Sequence, residues 1–159
     1  MKRTHHCNEL RLEHAGQEVT LSGWVHSRRD LGGVIFIDVR DREGRTQLVF
    51  DPQETDVALV EAAGKLHSES VITVSGKVRQ RPDETENSKI PTGQVEVVAA
   101  VMDVNNHAEV LPFQIDDPET AAKVNEELRL QYRYLDLRRP EIMRNMQLRS
   151  RVATATRVF

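Results

Sequence analysis

Hydrophobic positions in the first two-thirds of this chain recur at two spacings, and the switch between them outlines a fold. Over residues 18–28, Val19, Leu21, Gly23 and Val25 share one face, while Thr20, Ser22, Trp24, His26 and Arg28 share the other. Alternation at period two marks a half-buried strand. Asp30-Leu31-Gly32-Gly33 then reads as a turn, its glycines supplying the positive φ that other residues avoid. Residues 34–39 form a second strand, with Ile35, Ile37 and Val39 inside and Val34, Phe36 and Asp38 outside. After a turn at Asp41-Arg42-Glu43-Gly44, residues 46–50 form a third, with Leu48 and Phe50 inside and Gln47 and Val49 outside.

At residue 51 the period lengthens. Asp51 is the expected helix N-cap, Pro52 the first helical residue and Glu54 the partner in a capping box. Leu59, Ala62, Ala63 and Leu66 then make one apolar helical stripe. Alternation returns over residues 71–81, with Ile72, Val74, Gly76 and Val78 inside and Thr73, Ser75, Lys77, Arg79 and Arg81 outside. Two prolines in a polar stretch make 81–93 a loop. A fifth strand over 94–104 puts Val95 and Val97 inside and Gln94 and Glu96 outside. Three strands, a helix and two strands match the all-β OB-fold, a five-stranded Greek-key barrel whose ligand face centres on strands 2 and 3.

Residues 1–104 are therefore read as one domain and 105–139 as a hinge or linker, with a short helix near 120–130. Pro140 opens a further helix, with Ile142, Met143, Met146, Val152, Ala153 and Phe159 as its apolar positions. That pattern is still running at Phe159 without a glycine or proline stop, so residues 140–159 are expected to begin a second domain. Asp136 and Arg138 are expected in structural ion pairs at this junction.

Composition narrows the function classes. Apolar runs stay far below the ~20 residues that span a bilayer, and residues 1–7 lack the apolar core of a signal peptide. Cys7 is the only cysteine, so no disulfide framework or cysteine-based zinc site is expected, and the scattered histidines suggest no metal. These features describe a cytoplasmic protein with no membrane partner. A net charge of −3 opposes a general nucleic-acid coat, whose affinity would rest on many phosphate contacts. Residues 1–51 balance eight basic against eight acidic side chains, 52–115 carry five against ten, and 116–159 carry nine against seven. A nucleic-acid site must then be local, built from a few arginines in specific places.

Such a place exists on the strand 2–3 face, where an outward Phe36 stands near an outward Gln47. An exposed ring beside a hydrogen-bonding amide can stack an unpaired base and read its edge. Each residue also has a plainer reading: Phe36 as a lone exposed ring, Arg28-Arg29-Asp30 as a solvated turn, Glu96 as a surface carboxylate, and Arg79 and Arg81 as edge charges. Trp24 divides between core support and the binding face, and His26 is read as a surface residue.

The stretch from Trp24 to Asp38, continuing through Arg40-Asp41-Arg42-Glu43-Gly44, resembles the N-terminal domain of the bacterial aspartyl-tRNA synthetases. So do Pro91-Thr92-Gly93-Gln94-Val95-Glu96-Val97 and Tyr132-Arg133-Tyr134-Leu135-Asp136-Leu137-Arg138-Arg139-Pro140. The resemblance implies an OB-fold that grips the anticodon of tRNA(Asp), followed by a class II catalytic domain whose first motif begins in the last helix here. It implies that Phe36 stacks on the middle base, a uracil, and that Gln47 reads that base's polar edge. Arg29 would contact the third base, a cytosine. Strict alternation puts Arg29 inside, so strand 1 must end or bulge before the loop. Glu96 would accept from the donors of the first base, a guanine or its queuine derivative, as suits an acceptor-only group. Arg79 and Arg81 would hold phosphates or support the loop.

Relatives that also charge tRNA(Asn) tend to carry histidine after Arg-Arg-Asp; here Leu31 stands there, which leans to tRNA(Asp) alone. The parent activity implied is aspartate–tRNA ligase, using ATP and Mg²⁺, in a homodimer. This segment by itself is expected to bind no cofactor, to hold no catalytic residue and to be inactive. Two alternatives stand beside it: the equivalent domain of an asparaginyl- or lysyl-tRNA synthetase, and a free-standing OB-fold that binds single-stranded nucleic acid.

Overall fold

A computed structural model describes residues 2–115 and 123–158 of the chain. Its backbone divides into two units, Met1–Val110 and Leu111–Phe159. In the first, strands β1 (Glu18–Leu31), β2 (Val34–Arg40), β3 (Arg45–Phe50), β4 (Val71–Gln80) and β5 (Val95–Asn106) close a barrel in the order β1-β2-β3-β5-β4. β4 returns to pair with β1, so no edge is left open. Only the β3–β5 contact is parallel. This is the OB-fold order, with helix α1 (Val57–Gly64) between β3 and β4.

The inward positions predicted from alternation fill the barrel. Val19, Leu21, Val25, Ile35, Ile37, Val39, Leu48, Phe50, Ile72, Val74, Val78, Val95 and Val97 form one buried cluster, closed by Ala63 and Leu66 at α1. Gly76 sits at a register shift in the β4–β5 pair, where an added Cβ would lie 2.1 Å from the Val98 carbonyl oxygen. The β1–β2 hairpin turns on Gly32 and Gly33, at φ +65° and +92°, and the Asp30 side chain accepts from the Gly33 amide at 3.0 Å. β1 therefore runs three residues further into the turn than the sequence suggests, while β2 starts at Val34 as expected.

Two local expectations need correction. Asp51 does not cap the helix, and Glu54 closes no capping box. The Asp51 carbonyl accepts from the amides of Glu54 and Thr55, and its side chain accepts from the Gln53 amide, making a turn. Thr55, buried, donates its hydroxyl to the Ala99 carbonyl at 2.9 Å. With Thr55 pinned to β5, the helix starts five residues later, capped by the Asp56 side chain on the Ala58 amide at 2.8 Å. The second correction concerns the unbroken alternation read through His26 and Arg28; of the two outcomes an outward Arg29 required, an end or a bulge, β1 bulges. Val25 pairs with Val39 but Ser27 pairs with Asp38, so His26 is an extra residue in a β-bulge. A bulge reverses the alternation beyond it, which turns Ser27, Arg29 and Leu31 outward.

The N-terminal segment is clasped onto the barrel. Cys7 and Leu10 are buried in the core, and the Thr46 hydroxyl donates to the Cys7 carbonyl. The Asp41 carboxylate accepts from the amides of Cys7, Glu43 and Gly44 at 3.1, 2.8 and 3.2 Å and from the His6 ring at 2.8 Å. Burial alone would push the Asp41 carboxyl up, but these donors, led by the Glu43 amide, outweigh it and hold it below its ordinary value. Burial and the neighbouring Asp41 charge raise the Cys7 thiol, which stays protonated.

A lowered carboxyl stabilises the fold above the unfolded-state pKa, and that contribution fades as pH falls through the folded value. Asp41→Asn should therefore cost about 1–2 kcal/mol near neutrality. The gap to the unsubstituted chain should narrow below about pH 4. Urea unfolding at several pH values checks this; a gap unchanged down to about pH 3 would contradict it.

In the second unit, Phe113, Ile115 and Leu135 pack with Leu111, Val124, Leu128 and Tyr132. The short helices α2 (Glu126–Gln131) and α3 (Arg133–Asp136) precede α4 (Pro140–Val158), which Pro140 opens. Part of the helix expected near 120–130 falls outside the described residues; its described part begins at an Asn125 cap. The buried Asp136 carboxylate pairs with Arg133 at 2.7 Å and Arg139 at 3.2 Å.

Candidate nucleic-acid interface

Alternation in β2, the bulge in β1 and the pairing register bring one set of side chains to the outer wall of β1, β2, β3 and β5. Phe36 lies opposite Arg29 on one side and Val49 on the other. Asp38 lies opposite both Ser27 and Gln47. Phe36 is partly exposed and stands outside the core cluster, as an aromatic platform requires. Val49 beside it is 1% exposed yet also outside that cluster, so its burial comes from the outer face.

Polar side chains form one hydrogen-bonded row across this wall. Arg29 Nη2 lies 3.4 Å from Asp38 Oδ1 and donates to Gln47 Oε1 at 3.0 Å. Gln47 Nε2 donates to Glu96 Oε2 at 2.9 Å. Glu96 Oε1 accepts from Arg79 Nε at 2.8 Å, and Arg79 Nη1 donates to Glu54 Oε2 at 2.6 Å. Arg81 Nε stands 4.0 Å from Glu96 Oε2. Three carboxylates thus face three guanidiniums, which leaves the row formally neutral.

Gln47 and Glu96 point outward as expected, but they are not exposed; they are 6% and 3% accessible. Alternation gives the direction of a side chain and says nothing of what lies over it. Here the row's own members cover one another. The direction of the Gln47 amide follows from its neighbours, because a guanidinium only donates and a carboxylate only accepts. With those two partners engaged, the amide keeps one N–H and one lone pair, and each Glu96 oxygen keeps acceptor capacity.

The arginines divide by environment. Burial lowers the charge preference of Arg79, but the Glu96 hydrogen bond and the Glu96 and Glu54 charges outweigh it and raise its pKa. Arg81 is corrected from an outward strand position to a buried one beyond the end of β4. Its Nε donates to the Val95 carbonyl at 3.0 Å and its Nη1 lies 3.5 Å from the Thr85 carbonyl. Burial lowers its pKa, which Glu96 and Asp38 only partly restore. Its remaining Nη2 is buried with no hydrogen-bond partner among the described residues.

Trp24 is half-buried beneath the Arg40 guanidinium, 5.5 Å from its centroid, and Arg40 pairs with the buried Glu69. His26, at the bulge, accepts from Arg45 Nη1 at 2.6 Å, because arginine has no acceptor. Sequence reasoning missed Asp38 and Glu54 as the ends of the row. Asp38 was findable, since it shares Phe36's outward parity; Glu54 carries no local signal.

Residues 19–104 match the tRNA anticodon family model, described as an OB-fold nucleic acid binding domain. The whole chain is 50% identical to 26% of the length of an aspartate–tRNA(Asp/Asn) ligase from Opitutus terrae. Over 155 residues, 98% of the chain, it is 54% identical to the ligase of the same name from Gluconobacter oxydans, covering 25% of that protein. The chain therefore spans about a quarter of the length of these curated relatives. Among solved structures, it resembles asparaginyl-tRNA synthetase from Pyrococcus horikoshii complexed with asparaginyl-adenylate. The TM-score is 0.81 and the identity 29%, over 99% of this chain and 34% of that one.

Proposed function

The chain belongs to the anticodon-binding OB-fold family, and from that premise we propose that it is the anticodon reader of an aspartate–tRNA ligase. The observation that carries the reading is the partly exposed Phe36 ring on the same barrel wall as the Arg29–Gln47–Glu96 row. Phe36 stacks the middle base, Gln47 offers it one donor and one acceptor, and Glu96 accepts from the first base. Arg29, with half of its side chain in solvent, reaches the third base. Arg79, also partly exposed, meets phosphate, while Arg81 supports the β4–β5 loop from below. The longer protein joins aspartate to tRNA with ATP and Mg²⁺ as a homodimer, and no residue of this segment is assigned to that chemistry.

Leu31, 63% exposed beyond Arg29, supports the narrower choice of tRNA(Asp), although both named relatives carry the dual Asp/Asn name. An asparaginyl or lysyl enzyme shares the fold, but the identities near one half fall on the aspartate ligases. The neutral row argues against a free-standing coat for single strands, which would need uncompensated positive charge.

Fluorescence titration of the 159-residue chain with a tRNA(Asp) anticodon stem-loop should give tighter binding than an unrelated hairpin of equal length. Equal affinities would favour the free-standing binder. For the full-length protein, charging of tRNA(Asp) without tRNA(Asn) is expected; charging of both would overturn the reading of Leu31.

A further inference from the structure

Resting on that reading of Gln47 as the reader of the middle base, we propose that Glu96 locks the direction of the Gln47 amide. Glu96 thereby sets the choice of uracil over cytosine at the middle position, besides meeting the first base.

A free glutamine amide is ambidextrous, because turning its end by half a revolution exchanges the carbonyl and the NH₂. Uracil presents an N3–H donor beside its O4 acceptor. Cytosine presents the reverse, an N3 acceptor beside an N4 amine. An amide free to turn would satisfy either base, so an unconstrained glutamine cannot separate them.

Gln47 is constrained at both ends. Its Nε2 donates to Glu96 Oε2 at 2.9 Å and its Oε1 accepts from Arg29 Nη2 at 3.0 Å. Reversal would set a carbonyl against a carboxylate, which has no hydrogen to give, and an NH₂ against a guanidinium, which has no lone pair. The two ends are not equal. The Arg29 side chain is 51% exposed and lies 3.4 Å from Asp38, so it can swing into water. Glu96 is buried, held by Arg79 Nε at 2.8 Å with Arg81 behind it. An unmatched acceptor pair there would have no water to relieve it. The buried end is the lock. It leaves the free N–H and lone pair of Gln47 in one fixed order, which can serve one of the two bases and opposes the other, and that order is assigned to uracil.

The test uses two anticodon stem-loops that differ only in uracil or cytosine at the middle base, titrated against the 159-residue chain. The unsubstituted chain should prefer uracil. In Glu96→Gln the new carboxamide can accept or donate, so both directions of Gln47 are satisfied. The uracil-to-cytosine ratio should then fall by roughly tenfold. Arg29→Ala should weaken both loops and leave their ratio unchanged, because Glu96 still dictates the amide. A ratio kept by Glu96→Gln, or one that shifts as far in Arg29→Ala, overturns the lock.

An NMR readout stands independently of whether Glu96→Gln folds. In the unsubstituted chain the Gln47 side-chain NH₂ should be protected from exchange, and protection equal to that of surface glutamines also overturns the lock. If the unsubstituted chain prefers no stem-loop over an unrelated hairpin, the anticodon reading fails, and the amide protection still judges the lock by itself.

Discussion

Glu96→Ala should lower the stability of the barrel by about 3 kcal/mol, because one deletion strips two donors of their acceptor and a buried guanidinium of its countercharge. Gln47 Nε2 and Arg79 Nε lose hydrogen bonds of 2.9 and 2.8 Å, and Arg81 loses its compensating charge. The three do not suffer equally. The Arg79 side chain is 39% exposed and can turn to water, or keep Glu54. Gln47 is buried and cannot. Arg81, buried as well, already carries one unpartnered nitrogen, and its charge is the costliest to leave uncompensated. Glu54→Ala is the contrast within the same row. It removes an ion pair whose partners are both substantially exposed, worth only about 0–1 kcal/mol. Urea unfolding of both variants reads the difference. Equal losses would mean that the row is a chain of surface ion pairs and that Glu96 is no keystone.

The strand pattern was legible because alternation is local. Every inward residue named on β2, β4 and β5 lies in the core cluster or, as Gly76, at a close approach of β4 to β5, and Phe36 faces out as its parity requires. Three things were not legible, each for a physical reason. The helix start was misplaced because Asp51 and Asp56 are equally good caps. The choice between them rests on Thr55 reaching Ala99, a partner 44 residues away. An outward Arg29 called for an end or a bulge in β1, but its place at His26 left no mark because Val25-His26-Ser27 contains no glycine; it is visible only once β2 supplies a register. The burial of Gln47 and Glu96 was hidden because their cover consists of one another and of arginines from β1 and β4, brought together by barrel closure. The residues of the hydrogen-bonded row other than Asp38 and Glu54 could be singled out from the sequence, but their mutual engagement could not.

That engagement changes what binding must do. In an apo wall of free donors and acceptors, each base would gain its hydrogen bonds outright. Here Arg29, Gln47 and Glu96 are already hydrogen-bonded to one another, so an incoming base adds to their unused capacity or exchanges with an existing partner. The net gain per polar contact is correspondingly small, and direction rather than strength is what the row contributes. The neutral charge of the row limits phosphate attraction in the same way. Affinity must then come largely from a large group on this wall that gives up no hydrogen bond, the Phe36 ring.

Phe36→Ala should accordingly weaken the anticodon stem-loop by about 1–3 kcal/mol, roughly 5- to 150-fold in Kd, the usual worth of a base on an aromatic face. The ring is partly exposed and outside the core cluster, so the thermal midpoint should move little, which separates lost stacking from lost folding. Phe36→Leu sharpens the test. Leucine keeps apolar contact with Val49 across the β2–β3 pair but offers no flat π-face. It should bind nearly as poorly as alanine, while Phe36→Tyr should bind nearly as well as phenylalanine. Salt dependence gives a further discrimination. Because a stacked ring neutralises no phosphate, the slope of log affinity against log salt should be the same in Phe36→Ala as in the unsubstituted chain. A leucine variant that binds like phenylalanine would show that the wall takes the loop by apolar contact alone. A changed slope would show that losing the ring also displaces the arginines from the backbone.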